Sequence, residues 1–385
     1  MPSELRITRL TVTHYATTLS ELDLEATLGF DSVYTPGGRL NVAGSILTIE
    51  TSEGIVGETP GDVDARAAGY LLGRDPLQRE IIWHDLKRAN RLANATPPGA
   101  VDIALWDIAG KLYNAPIHQL LGGWRTRLPA YASTYHGDEN GGLTTAEDYA
   151  AFAKHCKDAL GYRAFKIHGW VNGPIEREVE AVLAIREAVG PHMSLMLDPA
   201  GAFSTFDDVV RVGRACDEAR YMWYEDPFRG GGFSQFAHVQ LKNLIKTPML
   251  MGEHIRGLEA KADTITNRAT DYVRALAAAD GGITGVMKIA ALAESHGLDV
   301  ELHGGGIAHR HCMASIRNTN YYELGLVHPL VPRNSAPIYG ELRWMDELDS
   351  VDAHGHVAVP DGPGLGVPID LDWVNHHKTG QVVFE

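Results

Sequence analysis

Short apolar stretches alternate with longer amphipathic stretches over most of the chain after Leu128. The apolar stretches predict strands at 128–134, 164–169, 194–199, 222–227, 248–253, 271–276 and 299–304. Helical periodicity separates them, most clearly in EREVEAVLAIREAVG and GVMKIAALAESHG, and each of these two segments ends at a glycine. Strands that alternate with helices predict a parallel sheet, and seven or eight such units over roughly 200 residues favour a closed β/α barrel.

The first part of the chain follows a different pattern. Residues 5–13 and 45–58 alternate between apolar and polar positions and predict strands, and the turn signal SEG divides the second one. The long segment between them, residues 14–40, is expected to be an irregular flap. Between about 60 and 125 the pattern is helical, with a break at Asn114 and a stop at Gly122.

Size and charge restrict the class of protein. The chain has 385 residues, more than one compact core usually holds, so two domains are expected. Its formal net charge of -15 argues against a nucleic-acid partner and against an anionic membrane surface. Three cysteines without a CxxC pair indicate a reducing compartment. With no signal-peptide pattern and no apolar run of membrane-spanning length, we expect a cytoplasmic protein.

Acidic residues end three consecutive predicted strands. Asp198, Glu225 and Glu253 stand where the carboxyl ends of barrel strands gather, which is the face that carries barrel active sites. Carboxylates are costly to bury unpaired, and oxygen ligands suit Mg²⁺ or Mn²⁺. The three residues therefore predict a metal site. The alternative is that each carboxylate caps the helix that follows its strand.

The segment FKIHGW carries two groups that can move protons. Lys166 and His168 lie two apart on a strand, so both side chains face the same side. A second imidazole, His303, ends the seventh predicted strand. This arrangement is typical of general acid–base chemistry, and a lysine beside a divalent cation and apolar walls is expected to have a lowered pKa.

Together these motifs resemble the enolase superfamily, and within it the mandelate racemase and muconate lactonizing enzyme-like branch with its acid-sugar dehydratases. The resemblance rests on AVDIALWDIAGKLYNAPIHQLLGG, LDP, YEDP, MGEH, GGITGVMKIAALAESHG and PDGPGLGV. The fold that it implies is an α/β fold, a (β/α)7β modified TIM barrel at 126–345 beneath an N-terminal α+β capping domain at 1–125. The C-terminal segment 346–385 would pack back on the capping domain and complete it.

The resemblance also implies roles for single residues. Asp198, Glu225 and Glu253 would hold Mg²⁺, and Lys166, His168 and His303 would be catalytic. Glu323, on an eighth strand, would help to hold the substrate carboxylate. Three further residues are candidate substrate contacts: His254, Tyr135 in the loop TYHGDENGG, and Arg39 in the flap with Asp31, Ser32, Tyr34 and Thr35. For His254, a contact to the metal ligands is an equal alternative.

Three positions depart from the family pattern. His168 replaces the second lysine of a Lys-x-Lys motif, so either Lys166 or His168 could be the base. Leu276 occupies the position of the aspartate that usually orients the catalytic histidine, and Asp280 in the following loop is a weak substitute. Ala200 stands where an asparagine is common.

The glycine-rich segment GGGIAHRHC follows His303. His309 and His311 are not expected to bind zinc, because no second Cys/His pair stands at ligand spacing. The three glycines are expected to bring backbone N–H groups close to an anionic end of the substrate.

The expected activity is that of a Mg²⁺-dependent hydro-lyase. A base would remove the α-proton of a sugar acid to give a metal-stabilised enediolate, and loss of the β-hydroxyl would give a 2-keto-3-deoxy acid. A racemase, epimerase or cycloisomerase that uses the same enediolate is the alternative, followed by a barrel that binds carboxylates without turnover. The partners would be a small carboxylate substrate and copies of the chain in a homo-oligomer, an octamer being one such assembly.

Overall fold

The computed structural model describes residues 5–25, 32–92, 96–230 and 232–385. The strands are β1 (Ile7–Leu24), β2 (Ser32–Thr51), β3 (Val56–Pro60), β4 (Arg127–Thr134), β5 (Ala164–Ile167), β6 (Ser194–Leu197), β7 (Trp223–Glu225), β8 (Met249–Met251), β9 (Tyr272–Ala275), β10 (Asp299–Leu302), β11 (Tyr322–Val327), β12 (His356–Ala358) and β13 (Lys378–Phe384). The helices are α1 (Ala65–Leu71), α2 (Arg79–Ala89), α3 (Gly99–Leu112), α4 (Ile117–Leu120), α5 (Ala146–Asp158), α6 (Ile175–Val189), α7 (Phe206–Ala219), α8 (Gln235–Lys242), α9 (Leu258–Thr266), α10 (Gly282–Ser295), α11 (Ile307–Ser315) and α12 (Leu371–His376), with a 3-10 turn at Leu342–Trp344.

Eight parallel strands form a nearly closed barrel. Their order is β10-β9-β8-β7-β6-β5-β4-β11, and a helix follows each of the strands from β4 to β10. The seven strands that the sequence pattern predicts are all present. The eighth strand, β11, was expected only through the resemblance that placed Glu323 on it. The barrel is therefore of the (β/α)7β type, and the carboxyl ends of its strands meet on one face.

A separate antiparallel sheet precedes the barrel, in the order β13-β1-β2-β3. One face of it packs on α1, α2 and α3 through Ile7, Leu10, Leu47 and Ile49, which are all buried. The segment 346–385 contacts both bodies. Its strand β12 pairs with β4 of the barrel, whereas β13 pairs with β1 and completes the capping sheet.

The expectation of an irregular flap at 14–40 was wrong. Strands β1 and β2 run on past the predicted bounds as one long hairpin, paired from Ile7 opposite Thr51 to Leu24 opposite Ser32. A register shift between Ser20 and Leu22, with Glu21 at φ 62°, interrupts the alternation that would have indicated a strand. Asp31, a member of the expected flap, lies outside the described residues.

Buried side chains fill the barrel interior beneath its carboxyl-end face. Tyr131, Ala164, Met196, Trp223 and Leu250 form one cluster with no more than trace exposure. Inward-facing layers of this kind make a barrel a packed core rather than a pore. Polar groups above this layer are consequently shielded from water on their inner side.

Candidate active site

Three carboxylates meet at the carboxyl ends of β6, β7 and β8. One oxygen of each of Asp198, Glu225 and Glu253 lies within 4.8 Å of the others. The three residues are 1%, 0% and 8% exposed, so water solvates them little. Consecutive parallel strands bring their ends together, which is why three carboxylates spaced along the sequence converge here.

Lys166 lies on β5 and is fully buried among carboxylates. Its Nζ is 2.9 Å from Asp198 Oδ2, 3.3 Å from Glu225 Oε2 and 2.8 Å from Glu323 Oε1. An ammonium group has three hydrogens to donate, and three carboxylates surround this one. Lys166 therefore joins the ends of β6, β7 and β11 to its own strand.

Burial alone would lower the pKa of the Lys166 ammonium, but the charges of Asp198, Glu225 and Glu323 outweigh burial and hold the pKa well above its usual value. Lys166 is thus a fixed positive charge in the structure. The lowered pKa expected beside a bound cation stays a prediction.

His168 follows β5 and is oriented by the backbone. Its Nδ1 is 2.6 Å from the carbonyl oxygen of Thr134, and a carbonyl only accepts, so this nitrogen carries the hydrogen. The other nitrogen, Nε2, lies 3.3 Å from Asp198 Oδ2. The ring consequently presents Nε2 to the carboxylates. Lys166 and His168 face the same side, as their spacing predicted.

A residue that the sequence analysis did not identify holds Glu225. Arg274, on β9, is fully buried and donates from Nε to Glu225 Oε1 at 2.6 Å and from Nη2 to Glu225 Oε2 at 2.9 Å. This two-point geometry is the strong form of an arginine–carboxylate pair. The available signal was a charged residue in the middle of a predicted barrel strand, which is covered on both faces and cannot leave a charge unpaired.

Glu323 faces the same cluster from β11. Besides Lys166, its carboxylate accepts from the Ser133 hydroxyl at 3.0 Å and from the Gly304 N–H at 2.7 Å. The N–H of Gly306 donates to the Tyr322 hydroxyl at 2.6 Å. Two of the three glycine N–H groups expected to meet an anionic substrate are therefore bound within the protein, and that expectation was wrong for them.

Two imidazoles flank Glu253. His254 Nε2 is 2.9 Å from its Oε1, and His303 Nε2 is 3.1 Å from its Oε2. Burial would raise the pKa of Glu253, but these two hydrogen bonds hold it well below its usual value. Burial would lower the pKa of His303, but the hydrogen bond to Glu253 and the charge of Glu323 raise it. The two imidazole side chains are 45% and 39% exposed, which leaves both open to solvent.

Asp280 does not stand in for the missing partner of His303. Its carboxylate accepts from the N–H of Leu276 at 2.9 Å and of Gly257 at 2.9 Å, and it lies 3.7 Å from Lys261 Nζ. Asp280 therefore fixes the loop after β9 and is committed there. Leu276 lines a small, mainly apolar cavity with Ile103 and Ala277, which explains how the chain accommodates leucine at this position.

Two candidate substrate contacts are not brought to the cluster. Tyr135 is 4% exposed and packs with Leu19 and Leu22 of the capping hairpin. Arg39 is exposed on β2 opposite Ser20, and among the described residues no contact joins it to the carboxylates. Tyr135 thus packs against the hairpin and Arg39 lies on it, and their roles as substrate contacts stay predictions.

The two histidines of HRH have structural partners. His309 accepts from the Ala277 N–H at 2.9 Å through Nε2, while its Nδ1 lies 3.0 Å from the Gly304 carbonyl oxygen. His311 bridges the N–H of His118 and the carbonyl of Leu365. Over the described ranges, the carboxylate cluster is the one group of potential metal ligands found.

The donor set fits a divalent cation. Four buried carboxylates, Asp198, Glu225, Glu253 and Glu323, face two permanent cations, Lys166 and Arg274. With neutral histidines this leaves an excess of two negative charges. Oxygen donors and a double negative charge suit a hard dication such as Mg²⁺. In the part of the chain that the structure describes, no helix is long and apolar enough to cross a membrane.

Two family models match the chain. Residues 148–373 match "Enolase C-terminal domain-like", and residues 40–122 match the N-terminal domain of "Mandelate racemase / muconate lactonizing enzyme". The first match begins within α5 and contains the carboxylates, Lys166, Arg274 and the three histidines of the cluster, whereas Ser133, Thr134, Tyr135 and Arg39 lie outside it. The second spans β2 to α4 in the capping domain.

Individual relatives agree with these matches. D-galactarolactone cycloisomerase of Agrobacterium fabrum is 31% identical over 348 residues, which cover 85% of this chain and 89% of that protein. D-mannonate dehydratase of Sphingomonas sp. is 28% identical over 85% of this chain and 89% of its own. The crystal structure of D-glucarate dehydratase from Agrobacterium tumefaciens complexed with magnesium is 30% identical, with a TM-score of 0.83 over 98% of this chain and 100% of that one. The chain therefore belongs to the enolase superfamily, in its mandelate racemase and muconate lactonizing enzyme group.

Proposed function

We propose that this protein is a Mg²⁺-dependent lyase that dehydrates a sugar acid to a 2-keto-3-deoxy acid. One observation carries the proposal: two imidazoles, His168 and His303, contact two different carboxylates of a single buried cluster. A dehydration needs one group to remove a proton and another to deliver one. The dehydratases among the relatives support the same reaction class.

Asp198, Glu225 and Glu253 would hold the cation. When bound, Mg²⁺ supplies positive charge for the oxygens of a substrate carboxylate and so favours loss of the neighbouring proton. Magnesium is the metal named for the D-glucarate dehydratase structure, and the oxygen donors of this cluster suit it.

His168 is the better candidate for the base. The Thr134 carbonyl takes the hydrogen on Nδ1, so Nε2 is the ring nitrogen that faces the cluster and that would take the substrate proton. Lys166 already contacts three carboxylates. Its role would be that of a fixed positive charge that stabilises the developing anion. In this assignment the C2–H bond breaks toward His168. The C3–O bond then breaks as His303 gives a proton to the departing hydroxyl, and the resulting enol becomes the 2-keto-3-deoxy acid.

The absence of an aspartate at position 276 favours dehydration over racemisation. A racemase removes and returns the C2 proton on both faces of the substrate, so His303 would have to act as a base as well as an acid. A carboxylate on the second imidazole nitrogen strengthens a histidine as a base. Leu276 offers none, and Asp280 is bound to backbone N–H groups.

A cycloisomerase is the second candidate. It is favoured by the 31% identity to D-galactarolactone cycloisomerase, and it would begin with the same removal of a proton beside a carboxylate. The two reactions share this step and differ in the leaving group.

The test is a screen of aldonic acids, aldaric acids and their lactones, with Mg²⁺ or with a chelator, followed by NMR in D₂O. The proposal predicts a 2-keto-3-deoxy acid that forms from an open-chain acid only with Mg²⁺. Turnover of lactones alone would favour the cycloisomerase. Deuterium at C2 without loss of water would indicate a racemase or epimerase. Binding of acids with neither exchange nor product would leave a non-catalytic carboxylate-binding barrel.

The His168→Asn variant is the matched control and should give neither product nor exchange.

A further inference from the structure

Arg274 is unusual among the buried residues because it binds Glu225 of the cluster and also contacts residues on three other strands. Its Nη1 donates to the Leu302 carbonyl at 3.0 Å, directly before His303. Its Nη2 lies 3.5 Å from Glu323 Oε2 and 3.3 Å from the Tyr131 hydroxyl. A single side chain on β9 thus connects β7 with β4, β10 and β11.

We propose that Arg274 is a positioning residue that acts as an internal counter-cation of the metal site and sets its affinity for the divalent cation. The inference rests on the proposed function, since it concerns the same carboxylates. Arg274 would do two things: hold Glu225 in one orientation, and compete with the metal for the charge of that carboxylate.

The hydrogen bonds of Glu225 show the competition. Its Oε1 accepts from Arg274 Nε, and its Oε2 accepts from Arg274 Nη2 at 2.9 Å, Trp223 Nε1 at 3.1 Å and Lys166 Nζ at 3.3 Å. A carboxylate oxygen offers two lone pairs, so Oε2 already has more donors than lone pairs. A cation that approaches Glu225 therefore has to share it with a charged group 2.6 Å away.

The charge balance points the same way. With Arg274 present, the four carboxylates exceed the two permanent cations by two charges, which matches a dication. Without Arg274 the excess is three, and the folded protein would bury this charge among residues that are 0–8% exposed. Unpaired buried charge is costly, so such a variant would depend on the bound cation for its stability.

A purely structural role makes a different prediction. If Arg274 only fastened the barrel, its removal would lower the melting temperature equally with and without Mg²⁺, and the Kd for Mg²⁺ would not change. The counter-cation role predicts that the metal and Arg274 are coupled. The Kd for Mg²⁺ is the readout that separates the two roles.

The experiment uses the full chain and Mg²⁺ without substrate, measured by calorimetric titration and thermal unfolding. For Arg274→Gln we expect a Mg²⁺ Kd at least tenfold lower than in the wild type. We also expect a melting temperature that falls in chelator and recovers largely at saturating Mg²⁺. Arg274→Lys keeps the charge with a single-point contact, so its Kd should lie between the two. This second variant keeps the test decisive if Arg274→Gln does not fold.

Arg310→Gln is the matched control. Arg310 is equally buried and pairs with Asp346 at 3.0 Å, but it contacts none of the carboxylates of the cluster. Its loss should lower the melting temperature by a similar amount at every Mg²⁺ concentration, with an unchanged Kd. An unchanged or higher Kd in the Arg274 variants, with normal Mg²⁺ binding by the wild type, would overturn this inference alone. Failure of the wild type to bind Mg²⁺ would count against the proposed function itself.

Discussion

The carboxylate cluster has a buried side and a solvent-exposed side, and the two differ in how many of their charged groups are already paired. On the buried side, Lys166, Asp198, Glu225, Arg274 and Glu323 are at most 4% exposed. Asp198 pairs with Lys166, and each of the other four has at least two charged partners. On the open side, Glu253 is approached by the half-exposed His254 and His303.

The difference indicates that the two sides of the cluster have separate roles. Groups that are buried and fully paired keep one arrangement, because any movement would leave a charge without a partner in a medium of low dielectric. Exposed imidazoles can exchange protons with water and meet a substrate. The buried side therefore supplies fixed charge, and the open side supplies His303, the imidazole that delivers a proton.

The largest expected effect comes from removing the central charge of the buried side. Lys166→Met should reduce kcat about 10⁴-fold, since Asp198 and Glu323 lose their shared ammonium and the developing anion loses a fixed charge. Steady-state kinetics on the substrate found in the screen is the measurement, with calorimetric Mg²⁺ binding to show that the site is still formed. Activity within tenfold of the wild type would contradict the role given to Lys166.

On the open side, His303→Asn and His254→Asn form a matched pair. The two imidazoles contact different oxygens of Glu253 and are similarly exposed. As the proton donor, His303 should account for roughly 10²-fold or more in kcat. Loss of His254 should cost tenfold or less, and neither change should move the melting temperature by more than about 2 °C. Equal losses of kcat in the two variants would contradict the assignment of His303, and not His254, as the proton donor.

A carboxylate at position 276 would make His303 a stronger base. In Leu276→Asp, a negative charge near the imidazole should shift the basic limb of the kcat profile upward by about one pH unit or less, with a change in kcat of a few-fold. Leu276→Asn, which has a similar shape without charge, should leave the limb in place. The same displacement in both variants would mean that polarity, not charge, is responsible.

The smallest expected effect concerns Glu178, a carboxylate that is buried without an ion pair among the described residues. Glu178 is 4% exposed, its Oε1 accepts the Trp170 N–H at 2.6 Å, and its Oε2 has no hydrogen-bond partner among the described residues. Burial raises the pKa of Glu178 from 4.5 to about 7. Between these values the folded protein binds more protons than the unfolded chain, so this group makes stability fall as the pH rises from 4.5 to 7.

Glu178→Gln should remove this loss of stability at higher pH. At pH 8 the variant should be more stable by about 1–2 kcal/mol, a discounted value since the new amide lacks a full set of partners. At pH 4 the two proteins should be nearly equal. Denaturant unfolding at the two pH values is the measurement, and a gain that is the same at both would show that the charge of Glu178 is not its cause.

The sequence was informative where one residue and its position on a strand decide the outcome. Asp198, Glu225 and Glu253 each end a strand, so their convergence follows from the parallel barrel alone. Arg274 could not be given a partner in this way, because Glu225 is 49 residues distant and the pairing joins β9 to β7, its next-but-one neighbour in the barrel. The number of carboxylates around Lys166 could not be read from the sequence for the same reason.

The hairpin at 14–40 shows a different limit. Period-two alternation identifies a strand only while the register is regular, and the shift near Glu21 breaks it. Arg39 was consequently assigned to a flap, whereas in the structure it is an exposed residue of β2.

The pairing of β13 with β1 has a consequence for synthesis on the ribosome. Arg9 and Glu385 meet across a separation of 376 residues, so one edge of β1 stays open until almost the last of the described chain has been made. Domains generally fold as they emerge, N-terminal first, and unpaired strand edges promote aggregation. Here the barrel emerges whole before the sheet that precedes it can be completed. We therefore expect nascent chains that stop short of residue 378 to recruit chaperones through an already translated β1, although their barrel strands are all present.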